Sequence, residues 1–222
     1  MTDAGNTPSN GNLPDAKSGK HRGPVLEFWF EFASTYSYLS AMRIETLAQE
    51  ANVQLLWRPF LLGPIFKNLG WNTSPFNLQP AKGIYMWRDM ERQCEQLGLP
   101  FSQPIPFPQN SLLSVRVAHA GRGQDWIGDF VRAVYMAQFG QGKDISDEAL
   151  MADLLLEVGA PARDILEQAA SPENKAALRE TVGQAGERGI FGAPSFVTPD
   201  GELFWGNDRL EPAIDWAVRA TR

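Results

Sequence analysis

The sequence is poor in the residues that most often carry chemistry. It has one cysteine in 222 residues, Cys94, which excludes an internal disulfide and any Cys-x-x-Cys redox pair. Cys94 lies in "ERQCEQL", a helical pattern, and reads as a plain buried thiol. There are two histidines, His21 and His119, far apart and in unrelated contexts. Metal sites need clustered His, Cys or carboxylate ligands at short spacing, so no metal is expected. His21 sits in a polar tail, and a Ser-His-Asp triad would rest on His119 alone. That residue ends "VRVAHAG", where a capping or surface role is expected. No apolar run reaches the roughly 18 residues of a membrane span, no signal-peptide segment opens the chain, and no Walker-type phosphate loop is present. Basic charge is also lacking. A net charge of −6 is the wrong sign for a nucleic-acid surface. A cytoplasmic protein that binds neither membrane nor nucleic acid is expected.

Apolar and aromatic residues are plentiful: 43% of the chain is hydrophobic, with seven Trp and thirteen Phe. Residues 1–23 are the exception. They are rich in Gly, Asn, Pro and Ser and cannot repay their ordering entropy, so a disordered tail is expected there. Residues 25–32, "VLEFWFEF", read as a buried strand. A helix follows with Leu39, Met42 and Leu47 on one face. Val53, Leu55 and Trp57 alternate in a second strand ended by Pro59. This βαβ opening favours a parallel pair. Residues 62–188 hold helical patterns and no convincing strand. The stretch "PFNLQPAKGIYMWRDMERQCEQLG" holds one long helix that closes near Gly98, followed by a Pro-rich loop and then several helices that each end on Gly. Ser171 and Pro172 open the last of them as cap and first helical residue, and Leu178, Val182 and Ala185 form its apolar stripe. Strands return around the turn Pro199-Asp200-Gly201, and "LEPAIDWAVRA" closes the chain as a helix.

Four places can carry chemistry. Ser34, in "FEFASTYSYL", stands where a strand becomes a helix. Either it caps the helix, or its hydroxyl faces a ligand where free N–H groups and partial positive charge gather. With no basic partner in view it is a poor nucleophile but a good donor to a charge supplied by a ligand. Pro194, in "IFGAPSFV", is either a plain strand-entry residue or a cis proline that exposes the backbone of Ala193. Asp208 and Glu211 have capping-box spacing before the last helix, although Pro212 disturbs it. If Asn207 and Asp208 face outward instead, they offer donors and a carboxylate. Asn72 and Lys82 are a loop residue and a helix-start residue. A lysine there opposes the helix dipole. Trp29, Trp71, Tyr85 and Trp87 either pack the core or line an aromatic pocket.

Together these pieces resemble the 2-hydroxychromene-2-carboxylate isomerase and kappa-class glutathione transferase family, a DsbA-like branch of the thioredoxin fold. The family's strand followed by Asp-Phe-x-Ser-Pro-x-Ser is matched by "FEFASTYSYL", and "KGIYM", "FGAPSF" and "WGNDR" match three further motifs in order. The resemblance spans about residues 25–220. It implies an α/β thioredoxin-like fold (βαβ then ββα, one mixed sheet), with residues 24–61 and 189–222 forming the thioredoxin part and 62–188 an inserted helical domain. It implies a glutathione-dependent isomerase of an aromatic degradation intermediate, and a homodimer. Ser34 then faces the glutathione sulfur, with Thr35 and Tyr36 beside it. Ala193 and Pro194 hold the cysteinyl backbone, Asn207 and Asp208 the glutamyl end, and Asn72 and Lys82 the rim. A kappa-type transferase or peroxidase, and a non-catalytic thioredoxin-fold binding module, are the alternatives. Ser34 suits the thiolate role. A free thiol has a pKa of roughly 8.5, and a hydrogen bond to a charged group contributes about 1.5–3 kcal/mol, or about one to two pKa units. Two positions depart from the pattern: Thr35 replaces the proline after the serine, and Glu31 replaces the aspartate before it.

Overall fold

The computed structural model describes residues 23–71 and 73–220. The expected tail, apart from Gly23, lies outside the described residues, and so does Asn72. Strand β1 (Val25–Phe30) is followed by helices α1 (Thr35–Ala41) and α2 (Ile44–Glu50), then β2 (Gln54–Pro59). Helices α3 (Leu62–Asn68), α4 (Pro75–Leu78), α5 (Pro80–Leu97), α6 (Leu112–Ala120) and α7 (Ile127–Tyr135) come next. Helix α7 runs into a π-helical turn, Met136–Gly140. Helices α8 (Glu148–Glu157), α9 (Ala162–Ala170) and α10 (Pro172–Glu187) precede β3 (Ser195–Val197) and β4 (Leu203–Trp205). A 3-10 turn at Asn207–Arg209 leads to α11 (Leu210–Arg219).

The four strands form one mixed sheet in the order β2-β1-β3-β4. Strand β1 pairs with β2 in parallel and with β3 antiparallel, and the β3–β4 hairpin turns at the expected Pro-Asp-Gly. The central position of β1 follows from its side chains. Leu26, Phe28 and Phe30 enter the larger core, shared by the sheet and the helices, while Trp29 enters a smaller core on the other face with Phe60 and Ile190. Across the sheet, Phe28 stacks on Phe196 at 5.5 Å and meets the edge of Trp57 at 5.5 Å. Such pairs contribute about 0.5–1.5 kcal/mol each beyond burial, and they pin β1 to both neighbours.

Two expectations are corrected. The single helix after β1 is two short ones, because the chain breaks at Met42–Arg43. Arg43 leaves helical geometry at φ −121°, and its guanidinium reaches Glu211 and Asn207. The long helix read within residues 75–98 is α5, closed by Gly98 as expected; Gln79, which precedes Pro80 and adopts φ −126°, ψ 86°, separates it from α4, since a residue before proline avoids the helical region. His119 is not a surface residue. It is buried on α6, with Nδ1 donating to Asn174 Oδ1 at 2.8 Å and Nε2 paired with Thr181 Oγ1 at 3.1 Å. Ser171 does cap α10, accepting from the Asn174 N–H at 3.1 Å. Among the described residues, no helix is long and apolar enough to cross a membrane.

Candidate active site

The strand β1 ends at Phe30, two residues earlier than its composition suggests, and the chain turns. The Ser34 N–H donates to the Glu31 carbonyl at 2.9 Å. Ser34 is extended at φ −91°, ψ 115°, and its Oγ accepts a long bond, 3.4 Å, from the Ser37 N–H. Its stronger bond is elsewhere: Ser34 Oγ donates to the Ala193 carbonyl at 2.8 Å. Sheet register explains this meeting of residues 159 apart. Trp29 is paired with Ser195, so the chain entering β3 passes the end of β1. The Ala193–Pro194 bond is cis, the second of the two readings open at Pro194. The Pro194 carbonyl accepts from the Gly206 N–H at 3.0 Å, which ties this segment to the end of β4.

Ser34 and Ala193 lie on a cavity of about 870 Å³. Its walls are largely apolar and include the rings of Phe66, Trp71, Phe76, Tyr85, Phe107 and Trp205. Phe191 joins Trp205 at the lip, ring to edge at 4.8 Å. Gly192 permits this lip, because a Cβ there would meet Trp205 Nε1 at 2.3 Å. Two ammonium groups, Lys67 and Lys82, face the same space, and Lys82 Nζ stands 5.9 Å from the Phe76 ring centroid. The arrangement suits a flat apolar ligand that carries negative charge.

One carboxylate is among the lining residues, Glu31. It is 4% exposed. Ser111 Oγ donates to its Oε1, and the Ala33 N–H supports it. Burial nevertheless dominates and pushes its pKa up to about 7. By contrast, burial pushes the Cys94 thiol up to about 11, so that thiol stays protonated and inert in the core.

The chain matches the family model of the DSBA-like thioredoxin domain over residues 25–213. It is 32% identical over 188 residues to a 2-hydroxychromene-2-carboxylate isomerase of Sphingobium xenophagum, covering 84% of this chain and 94% of that protein. The chain belongs to the DsbA-like thioredoxin family, on the branch of these isomerases and the kappa-class glutathione transferases. Human glutathione S-transferase kappa 1 is 28% identical over 205 residues, covering 85% of this chain and 90% of that protein. The solved structure of a 2-hydroxychromene-2-carboxylate isomerase superposes with a TM-score of 0.79 at 26% identity, covering 89% of this chain and 96% of that one.

On this DsbA-like frame the site residues read from the sequence divide into two groups. Ser34, Tyr36, Lys82 and Ala193 line the cavity; Thr35, Pro194, Asn207 and Asp208 are not among its lining residues. Tyr36 donates to Asp89 Oδ2 at 2.9 Å, and burial, followed by that carboxylate, raises its phenol pKa. Asp208 is near enough to add to this shift. Thr35 is buried, and its hydroxyl has no hydrogen-bond partner among the described residues. Asn207 is engaged within the protein. Its Oδ1 accepts from Ser40 Oγ at 3.0 Å and Arg43 Nη2 at 3.2 Å, and its Nδ2 donates to Gln93 at 3.0 Å. The Asp208–Glu211 capping box does not form. Asp208 pairs with Arg209, Glu211 pairs with Arg43, and α11 starts without a side-chain cap. Of the aromatics, Trp71 and Tyr85 line the cavity, whereas Trp29 packs on Phe60 and Trp87 packs against Phe107. Sequence reasoning missed Phe191, Trp205 and the burial of Glu31. The signal for Glu31 was an acidic residue within an otherwise aromatic run.

Proposed function

We propose that this protein is a glutathione-dependent isomerase of a 2-hydroxychromene-2-carboxylate-like aromatic degradation intermediate, with Ser34 stabilising the glutathione thiolate. The observation that carries this reading is the bond between Ser34 Oγ and the Ala193 carbonyl on the wall of a largely apolar cavity. A serine hydroxyl has one proton to give, and here it goes to Ala193. A peptide ligand whose own N–H takes over that carbonyl, as in strand addition, frees the Ser34 proton to turn toward sulfur. Backbone capture and thiolate stabilisation are thereby coupled through one carbonyl. The residues fit glutathione on these grounds: a donor for the sulfur, an adjacent backbone acceptor, and Lys67 and Lys82 for carboxylates. Glutathione supplies a nucleophilic thiolate that can add to and leave an unsaturated carbon. The aromatic walls hold a planar substrate and exclude water, and Lys67 and Lys82 attract its carboxylate.

Titration with glutathione, read by ultraviolet thiolate absorbance, tests this. Binding is expected with a thiol pKa about one to two units below its free value. Absence of binding at about 1 mM, a free energy near −4 kcal/mol, rejects the reading in favour of a non-catalytic module. The kinship with a kappa-class transferase supports a second reading, in which glutathione is consumed. Total thiol stays constant during isomerisation and falls in step with product during transfer.

A further inference from the structure

The serine read from the sequence lacked a base, and the structure brings a carboxyl to the same cavity. We propose that Glu31 is the proton-transfer group of this site: its carboxylate takes the proton of a thiol held at Ser34 and returns it to the substrate carbon that the isomerisation must protonate. The inference rests on the isomerase reading above and adds to it the group that moves the proton.

Geometry carries it. Glu31 lies three residues before Ser34, in the turn closed by the Ser34 N–H. It lines the cavity, yet it is 4% exposed. A carboxylate has about four acceptor positions, and Glu31 receives Ser111 Oγ and the Ala33 N–H. The titratable groups around it are few. Tyr135 on α7 donates to the Glu31 carbonyl at 2.9 Å, and burial keeps its phenol protonated. Lys82 on α5 and Lys67 on α3 face the cavity, and no second carboxylate is among its lining residues.

The energetics suit the role. A general base works best with a pKa near the operating pH, and burial holds Glu31 at about 7. A thiol lowered by Ser34 from roughly 8.5 comes to about the same value. Two such acids in one cavity repel when both are ionised, so at neutral pH they share one proton. In the forward transfer the S–H bond breaks, sulfur keeps the electron pair, and an O–H bond forms on Glu31. In the return, the Glu31 O–H bond breaks and leaves its pair on the carboxylate, while the C–H bond forms with the π pair displaced from the substrate double bond as sulfur adds to its other carbon. The reverse sequence restores the start, with no net proton and no oxidant.

Proton release on glutathione binding tests this apart from activity. Calorimetry at about pH 8, where Glu31 is ionised and a free thiol is mostly not, in buffers of different ionisation enthalpy, counts released protons. Binding to the native protein is expected to release almost none, because Glu31 takes the proton. Binding to Glu31→Gln is expected to release about half to three-quarters of a proton, the protonated share of the free thiol at that pH less what the lowered thiol keeps. Infrared difference spectra of the native protein should show a carboxylate band lost and a carboxylic acid band gained on binding, which holds even if the variant folds poorly. Turnover of Glu31→Gln should fall by about 10²–10⁴-fold. Equal proton release by both proteins with glutathione bound, or no carboxyl band in the native spectrum, overturns the proton-transfer role and leaves the isomerase reading standing. No binding to the native protein overturns both.

Discussion

Replacing Ser34 by alanine separates the structural work of the hydroxyl from its chemical work, because the two have different magnitudes. In the free protein the hydroxyl makes one good bond, 2.8 Å to Ala193, and one weak cap, 3.4 Å from Ser37. The first contributes about 0.5–1.5 kcal/mol, and the second stands at the low end of the about 0.5–2 kcal/mol of helix caps. Their loss should cost about 1–2 kcal/mol, or about 2–8 °C in Tm for a chain of this size. In the loaded protein the lost bond is charge-assisted, about 1.5–3 kcal/mol, so the bound thiol should rise by about one to two pKa units. At about pH 7 that removes roughly nine-tenths or more of the thiolate, and the rate should fall by one to two decades. The assays are a thermal melt, thiolate absorbance against pH with glutathione bound, and turnover. An unchanged thiol pKa and rate, whatever the Tm, would refute Ser34 as the thiolate partner. A changed Tm with an unchanged pKa would leave it as a cap alone.

Cys94→Ser should keep full turnover, since the thiol is buried and held protonated; a melt should show a loss of about 1–3 kcal/mol from an unpaired buried hydroxyl, and a large rate loss at normal stability would contradict the assignment. Gly192→Ala should push the half-exposed Trp205 ring off its contact with Phe191; KM for an aromatic substrate should rise by about 2–10-fold, the worth of one aromatic pair, with tryptophan fluorescence shifted and Tm nearly unchanged. Glu31→Gln should be as stable as the native protein below about pH 4.5 and more stable above about pH 7, by about 3 kcal/mol, measured by denaturant unfolding across pH.

The parts of the fold legible in the sequence are those decided locally. A β-branched and aromatic run marked β1, alternation marked β2, Pro199-Asp200-Gly201 marked the hairpin, and Gly98, at φ +65°, ended α5 as its position suggested. What was not legible depends on partners far along the chain. Arg43 breaks the first helix because it reaches Glu211, 168 residues away. Glu31 is buried because Ser111 and Tyr135 close over it from 80 and 104 residues away. Helix α9 ends at Ala170 without the Gly that marks its neighbours. At the site, Ser34 and Ala193 were legible as motif residues and do meet. The capping spacing of Asp208 and Glu211 misled, because Pro212 and the 3-10 turn move the helix start to Leu210.

Two buried titratable groups, Glu31 and His119, oppose each other in pH dependence, and the contrast bears on the role of Glu31. Glu31 has a folded pKa of about 7, above its ordinary 4.5. Between these values the unfolded chain has lost the proton that the folded chain keeps, so stability falls as pH rises through that window. His119 has a folded pKa of about 4, below its ordinary 6.5, chiefly through burial. In that window the unfolded chain holds the extra proton, so stability rises with pH. From about pH 4.5 to 6.5 the two slopes cancel in part, and Glu31→Gln should uncover the rising one. The two groups differ in what surrounds them. Both ring nitrogens of His119 are paired, with Asn174 and Thr181 of α10, and Arg122 stands beside it. That is a satisfied link between α6 and α10. Glu31 has fewer donors than acceptor positions, on the wall of a cavity that also holds Ser34. A fold that needed only packing there would lose nothing with a neutral residue and would gain stability above about pH 7. An ionisable group kept at such a cost, beside an empty acceptor direction and a hydroxyl that lacks a base, has its explanation in the chemistry of the cavity rather than in the stability of the sheet.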